Sequence, residues 1–203
     1  KYNPNEFALS TAYSRKLSDN FSTAISLRYI YSNLTGGQYV STLQTKPGQS
    51  IAGDVSAYYT KDIRLGDQDV DWSMGLNISN IGSKIAYTET ATKDFLPTNM
   101  RFGTAFTTAI DEYNKVSFEA DINKLLVPTP PGYNDDGVII AGMDPDVPVM
   151  SGVFQSFWDA PGGVKEEFRE IIYSLGAEYW YDEQFAIRTG YFHEAPSKGD
   201  RQF

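Results

Sequence analysis

The chain contains no cysteine, which excludes disulfides and thiolate-bound metals within it. Histidine occurs once, as His193, so any Ser-His or His-metal chemistry would hang on that single residue. Basic residues are the minority, 17 Lys and Arg against 26 Asp and Glu, giving a formal net charge of -9 and a pI near 4.6. That balance cannot supply a basic stripe along phosphates, and it excludes nucleic acid as a partner. No apolar run reaches the roughly 18 residues that a membrane-spanning helix requires, and the chain does not open on a basic and then apolar leader. G-x-S-x-G, G-x-G-x-x-G, P-loop and H-E-x-x-H patterns are all lacking. From these absences we expect no enzyme, no cofactor and no metal site.

Aromatic residues are abundant: 14 Tyr, 12 Phe and 3 Trp in 203 residues, although mean hydropathy is only -0.38. They fall in stretches of strict alternation. Between residues 21 and 31, Phe21, Ile25, Leu27, Tyr29 and Tyr31 share one strand face, while Ser22, Ala24, Ser26 and Arg28 share the other. The same reading predicts strands at 6–16, 21–31, 51–61, 72–81, 99–110, 115–125, 171–181 and 185–193. Their second faces carry Asp54, Asn77, Arg101, Glu119, Asp121, Asn123, Glu178 and Arg188. A lone carboxylate in a dry core costs several kcal/mol, so this face meets water or a polar lumen.

Connector lengths then separate two architectures. Short links at 17–20, 111–114 and 182–184 alternate with insertions at 32–50, 80–98 and 126–170. A soluble β-sandwich accommodates the alternation of side chains. The short-long rhythm instead favours an all-β, transmembrane antiparallel β-barrel with tight turns on one side and long loops outside. Eight strands could close a minimal barrel. However, residues 198–202 are charged and polar where a closing apolar strand would end on Phe203. We therefore expect residues 1–203 to be a partial barrel, lacking strands at both ends.

The outer loops hold the candidate binding residues. Residues 126–170 open on Val127-Pro128-Thr129-Pro130-Pro131, which cannot pair in a sheet, and 163–171 has the pattern of a short helix. Phe154, Phe157 and Trp158 need burial in a partner or in the barrel mouth. Asp135, Asp136, Asp144 and Asp146 would steer a basic partner; they lack the spacing of a calcium loop. Residues 85–87, with threonines after them, suggest a small extra hairpin. The Asn33-Leu34-Thr35 and Asn77-Ile78-Ser79 triplets match a glycosylation sequon that arises readily by chance.

Nine ordered strings carry a family resemblance: N-P-N-E-F-A-L-S (3–10), K-L-S-D-N-F-S (16–22), R-Y-I-Y-S-N-L (28–34), D-V-S-A-Y-Y (54–59), N-I-G-S-K-I-A-Y (80–87), F-L-P-T-N-M-R-F-G (95–103), F-W-D-A-P-G-G-V-K-E-E (157–167), A-E-Y-W-Y (177–181) and F-A-I-R-T-G-Y-F-H-E (185–194). Together they resemble the PorV (LptO) family of the type IX secretion system, related to the FadL fatty-acid transporters. The resemblance implies a FadL-like barrel of about fourteen strands in the outer membrane, about eight of them here. It further implies protein transport: cargo is bound by its C-terminal signal domain and passed from the translocon barrel (Sov/SprA) to a sortase-like attachment complex (PorU, PorQ, PorZ). Partners would then be outer-membrane lipid, the translocon, cargo and that complex, with no catalytic residue carried over. Two alternatives stay open: a FadL-type transporter of hydrophobic small molecules, and a lipid-modifying enzyme built on His193 with a serine partner.

Overall fold

A computed structural model describes residues 4–34, 36, 39–40, 43–88 and 93–199. Gly37, Thr90, Thr92 and Phe203, which bear on the turn, hairpin and chain-end expectations, lie outside the described residues. The strands are β1 (Asn5–Lys16), β2 (Phe21–Asn33), β3 (Tyr39–Val40), β4 (Leu43–Gln44), β5 (Gly48–Leu65), β6 (Gln68–Gly82), β7 (Asn99–Ala109), β8 (Asn114–Leu125), β9 (Gly132–Tyr133), β10 (Ile139–Ala141), β11 (Ile171–Tyr181) and β12 (Phe185–His193). Two short helices, α1 (Val149–Gln155) and α2 (Val164–Arg169), precede β11.

Eight strands form one antiparallel meander in the order β1-β2-β5-β6-β7-β8-β11-β12. All eight strands expected from alternation are present. Two are longer than expected by several residues: residues 62–71, left between strands by the sequence reading, extend β5 and β6 and turn within residues 66–67. Gly66 makes this turn possible because its φ of 65° suits a residue without Cβ. Charges at Asp62, Arg64, Asp69 and Asp71 had obscured the alternation of Ile63, Leu65 and Val70. With that correction every hairpin at one end is short, and every connection at the other end is long.

Turn chemistry explains the short end. Asp111 Oδ1 accepts the backbone N–H groups of Tyr113 and Asn114, each at 2.9 Å, replacing ladder bonds that the reversing chain gives up. Asp182 and Glu183 both take positive φ, 50° and 51°, as the tightest hairpins require.

Little of the sheet is covered. On the alternating apolar face Leu9 is 72% exposed, Leu27 56% and Phe118 61%. Ile25, Leu76, Phe102 and Phe106 are exposed as well, while Ile78 and Ile122 are partly buried. Besides the eight-stranded sheet the described residues contain only two-stranded ones, so no second layer packs on this face. β1 and β12 stand at the two ends of the strand order and do not pair with each other, leaving an open sheet rather than a barrel closed at eight.

The buried residues sit at the long-loop end. Ala52, Ile85 and Leu96 form a small core with Ile30 and Tyr87. Ala52 and Ile30 alternate in phase with Asp54 and Arg28, so residues 83–88 and 93–98 fold over the polar face. Among the described residues the expected extra hairpin at 85–87 shows one bridge, Ile85 to Asp94. Tyr87 secures it by donating its hydroxyl hydrogen to Ser32 Oγ at 2.9 Å.

Candidate functional site

The 126–170 segment is built, not loose. Leu126 is fully buried at the end of β8, and its N–H donates to the Thr98 carbonyl at 2.7 Å. Pro128 and Pro131 forbid further ladder pairing. The chain turns at Asn134, whose Oδ1 accepts the N–H of Asp136 and of Val138. It returns along β10 and enters α1. A side chain at Gly152 would lie 2.6 Å from the Phe95 ring, so this glycine lets α1 press on the neighbouring loop. As anticipated for 163–171, a short helix follows: α2, entered through Gly163 at a φ of 68°.

One buried network holds these pieces together. Lys124, only 5% exposed, donates to Glu167 Oε2 at 3.0 Å and Glu170 Oε2 at 2.7 Å. Lys198 donates to Glu166 Oε1 at 2.7 Å and Glu170 Oε1 at 2.9 Å. Thr129 Oγ1 adds a third donor to Glu170 at 2.9 Å. Lys124 alternates with Phe118, Ala120 and Ile122 on the apolar face, whereas Thr129 and Lys198 line a cleft with Asn123 and Ile172 of the polar face. Glu170 therefore bridges both sides of the sheet rim.

Burial pushes the Glu170 carboxyl up, but the hydrogen bonds from Lys124, Lys198 and Thr129 outweigh it and leave the group below its ordinary value. The Lys198 hydrogen bond, helped by the Gly162 N–H, also lowers Glu166. Asp159 goes the other way. Its burial raises it despite bonds from Thr129 N–H at 3.0 Å and Gln155 Nε2 at 3.4 Å, and its Oδ1 has no partner among the described residues.

The aromatics anticipated as binding residues stay outside this core. Phe154 is 59% exposed, Phe157 40% and Trp158 62%. They do not fold back into the sheet; Val153, Gln155, Ser156, Asp159 and Ala160 are buried in their place. Asp135 and Asp136 occupy the exposed tip of the β9–β10 hairpin. Asp144 Oδ1 accepts the Asp146 N–H at 2.9 Å, and Asp146 Oδ1 accepts from Lys84 at 3.2 Å. The four aspartates thus lie in two separate places. No group of three or more His, Cys, Asp or Glu among the described residues is placed to hold a metal ion. His193 stacks on Tyr191, and its Nδ1 has no hydrogen-bond partner among the described residues.

The polar face carries its own pairs. Arg28 meets Asp54 at 3.0 Å, Glu178 pairs with Arg188, and Ser56 donates to Asn77 Oδ1 at 2.8 Å. A groove of about 370 Å³ runs along this face past Asn77, Arg101, Glu119 and Asp121.

Sequence reasoning passed over Lys124, Thr129, Asp159 and Lys198. Its one available signal was the 163–171 helix, whose Glu166 and Glu170 are spaced to share a face. Comparison with known families matches residues 1–132 to the one described as Type IX secretion system protein PorV. No curated protein matches the chain.

Proposed function

The chain belongs to the PorV family of the type IX secretion system, which matches well over half its length, and we propose that it forms part of an outer-membrane barrel that receives secreted cargo. The uncovered apolar face supports the membrane reading most directly. A soluble sandwich buries such a face against a second sheet, while a bilayer accepts it as it stands. In lipid every backbone donor needs a partner, so the reading requires further strands between the edges of β12 and β1. The polar face then lines a lumen.

In this reading the external loops bind the cargo's C-terminal signal domain. The same barrel associates with the translocon (Sov/SprA) and hands cargo to the sortase-like complex of PorU, PorQ and PorZ. Exposed Phe154, Phe157 and Trp158 are its apolar contacts. Asp135, Asp136, Asp144 and Asp146 steer a basic partner and make the encounter salt-sensitive. The test is a pull-down of an isolated cargo signal domain by full-length protein carrying Phe154→Ala, Phe157→Ala and Trp158→Ala, singly and together. An anchoring ring is worth at least about 2 kcal/mol, roughly thirty-fold in affinity. Unchanged capture by a triple variant that keeps normal heat-modifiability would eliminate this surface.

A further inference from the structure

On the apolar side of the wall, beneath the loop of residues 126–170, lies a cleft of about 370 Å³. Its floor is the cross-strand pair Lys124 and Ile171, at the loop ends of β8 and β11. Phe157, Trp158, Val164 and Phe168 form its sides, and all four are exposed. Val164 and Phe168 stand four apart on α2, one turn above the other on the same helix face.

The floor carries no unmet charge, because Lys124 is held by Glu167 and Glu170. The next pair down the same face is Ile122 and Tyr173, then Ala120 and Leu175. Two residues of strand span about 7 Å, so the cleft opens directly onto the uncovered apolar surface. It does not open onto the polar groove.

We propose that this cleft seats the acyl chain of an outer-leaflet lipid, with Trp158 at the leaflet's polar boundary. Its volume lies near the low end of the roughly 300–1,000 Å³ range of ligand clefts. Its apolar sides, Phe157, Trp158, Val164 and Phe168, lead onto the apolar wall at Ile122 and Tyr173, which suits a chain lying along the wall better than a folded domain. Aromatic side chains at such a boundary place their apolar body in lipid and their polar edge in water. The inference rests on the outer-membrane reading of the apolar face. It narrows the docking role given to the loop: Phe157 and Trp158 lie against the leaflet, while Phe154 and the aspartates remain for cargo.

The test uses full-length protein reconstituted into phosphatidylcholine vesicles with either unmodified or brominated acyl chains, in which bromine quenches tryptophan on contact. Three variants each keep one of Trp72, Trp158 and Trp180, the others being replaced by Phe. Heat-modifiable migration confirms that each is folded. Trp72 alternates with Met74 and Leu76 on the apolar face, and Trp180 alternates with Glu178 on the polar face. The expected result is strong quenching of Trp72 and Trp158 and none of Trp180. Adding Val164→Asp and Phe168→Asp should relieve Trp158 alone. Quenching of Trp72 without Trp158 overturns the proposal and returns the cleft to a protein partner. An unquenched Trp72 overturns the membrane reading itself, and the proposal with it.

Discussion

Replacing Lys124 with Met tests what holds the long loop of residues 126–170. Methionine keeps the length and apolar stem of the side chain but removes the ammonium that Glu167 and Glu170 share at 3.0 and 2.7 Å. Breaking a buried ion pair from one side costs about 3–5 kcal/mol when the remaining charge has no escape. Here both carboxylates have other donors: Lys198 and Thr129 for Glu170, the Ala160 N–H for Glu167. Those remaining donors keep the loss below the full range. We expect about 2–3 kcal/mol, confined to the loop, because the strand ladder does not pass through Lys124's side chain.

Amide hydrogen exchange in α2 would read this as a roughly 30- to 150-fold fall in protection, with exchange in the sheet strands unchanged. The pH dependence supplies a second check. Glu166 and Glu170 are held below their ordinary values, so their contribution is present above about pH 4.5 and is lost as pH falls through their folded-state values. Wild-type protection of α2 should therefore drop on acidification below that point, and the gap between wild type and Lys124→Met should shrink with it. Asp159, raised by burial, contributes in the opposite sense. Its share is fully present below its ordinary value of 3.8 and fades as pH rises through the raised one. Equal α2 protection in wild type and variant at pH 7 would refute the assignment of this network as the loop's fastening.

Further outcomes follow from the sheet. Leu76→Arg on the apolar face should destabilise the membrane-inserted protein by about 2–4 kcal/mol in urea titrations from vesicles, whereas a soluble wall would lose far less. At Gly82 a Cβ would meet the Ile51 carbonyl oxygen at 2.5 Å and the Ala52 Cα at 2.8 Å, while at Gly75 nothing lies within 4 Å. Gly82→Ala should cost about 1–3 kcal/mol in the same assay and Gly75→Ala almost nothing. Asp182→Asn with Glu183→Gly should stabilise the last hairpin by about 1–2 kcal/mol, since both positions now hold a left-handed conformation without glycine.

The eight strands of the main sheet, the identity of its two faces and the alternation of turns with loops were legible in the sequence, because they are local properties. A period of two repeats within ten residues, and a tight turn needs only its own four. The β5–β6 turn escaped notice where charges on the extended strand ends, Asp62 through Asp71, broke the pattern that the apolar residues kept. The short helix over 163–171 was visible for the same local reason, and the exposed rings at Phe154, Phe157 and Trp158 stood out by composition. The network around Glu170 could not be read this way. Its members Lys124, Thr129, Glu166, Glu167 and Lys198 lie as many as 74 positions apart, and nothing in the residue order states which lysine meets which glutamate. Only the registers of β8 against β11 and of β11 against β12, with α2 laid across the rim, bring them within 3.0 Å. Tertiary structure likewise decided that one loop folds over the polar face while another leaves its rings beside the apolar wall. That choice rests on the buried contacts around Ile85 and Leu96, and around Asp159, and side-chain alternation along a strand does not encode it.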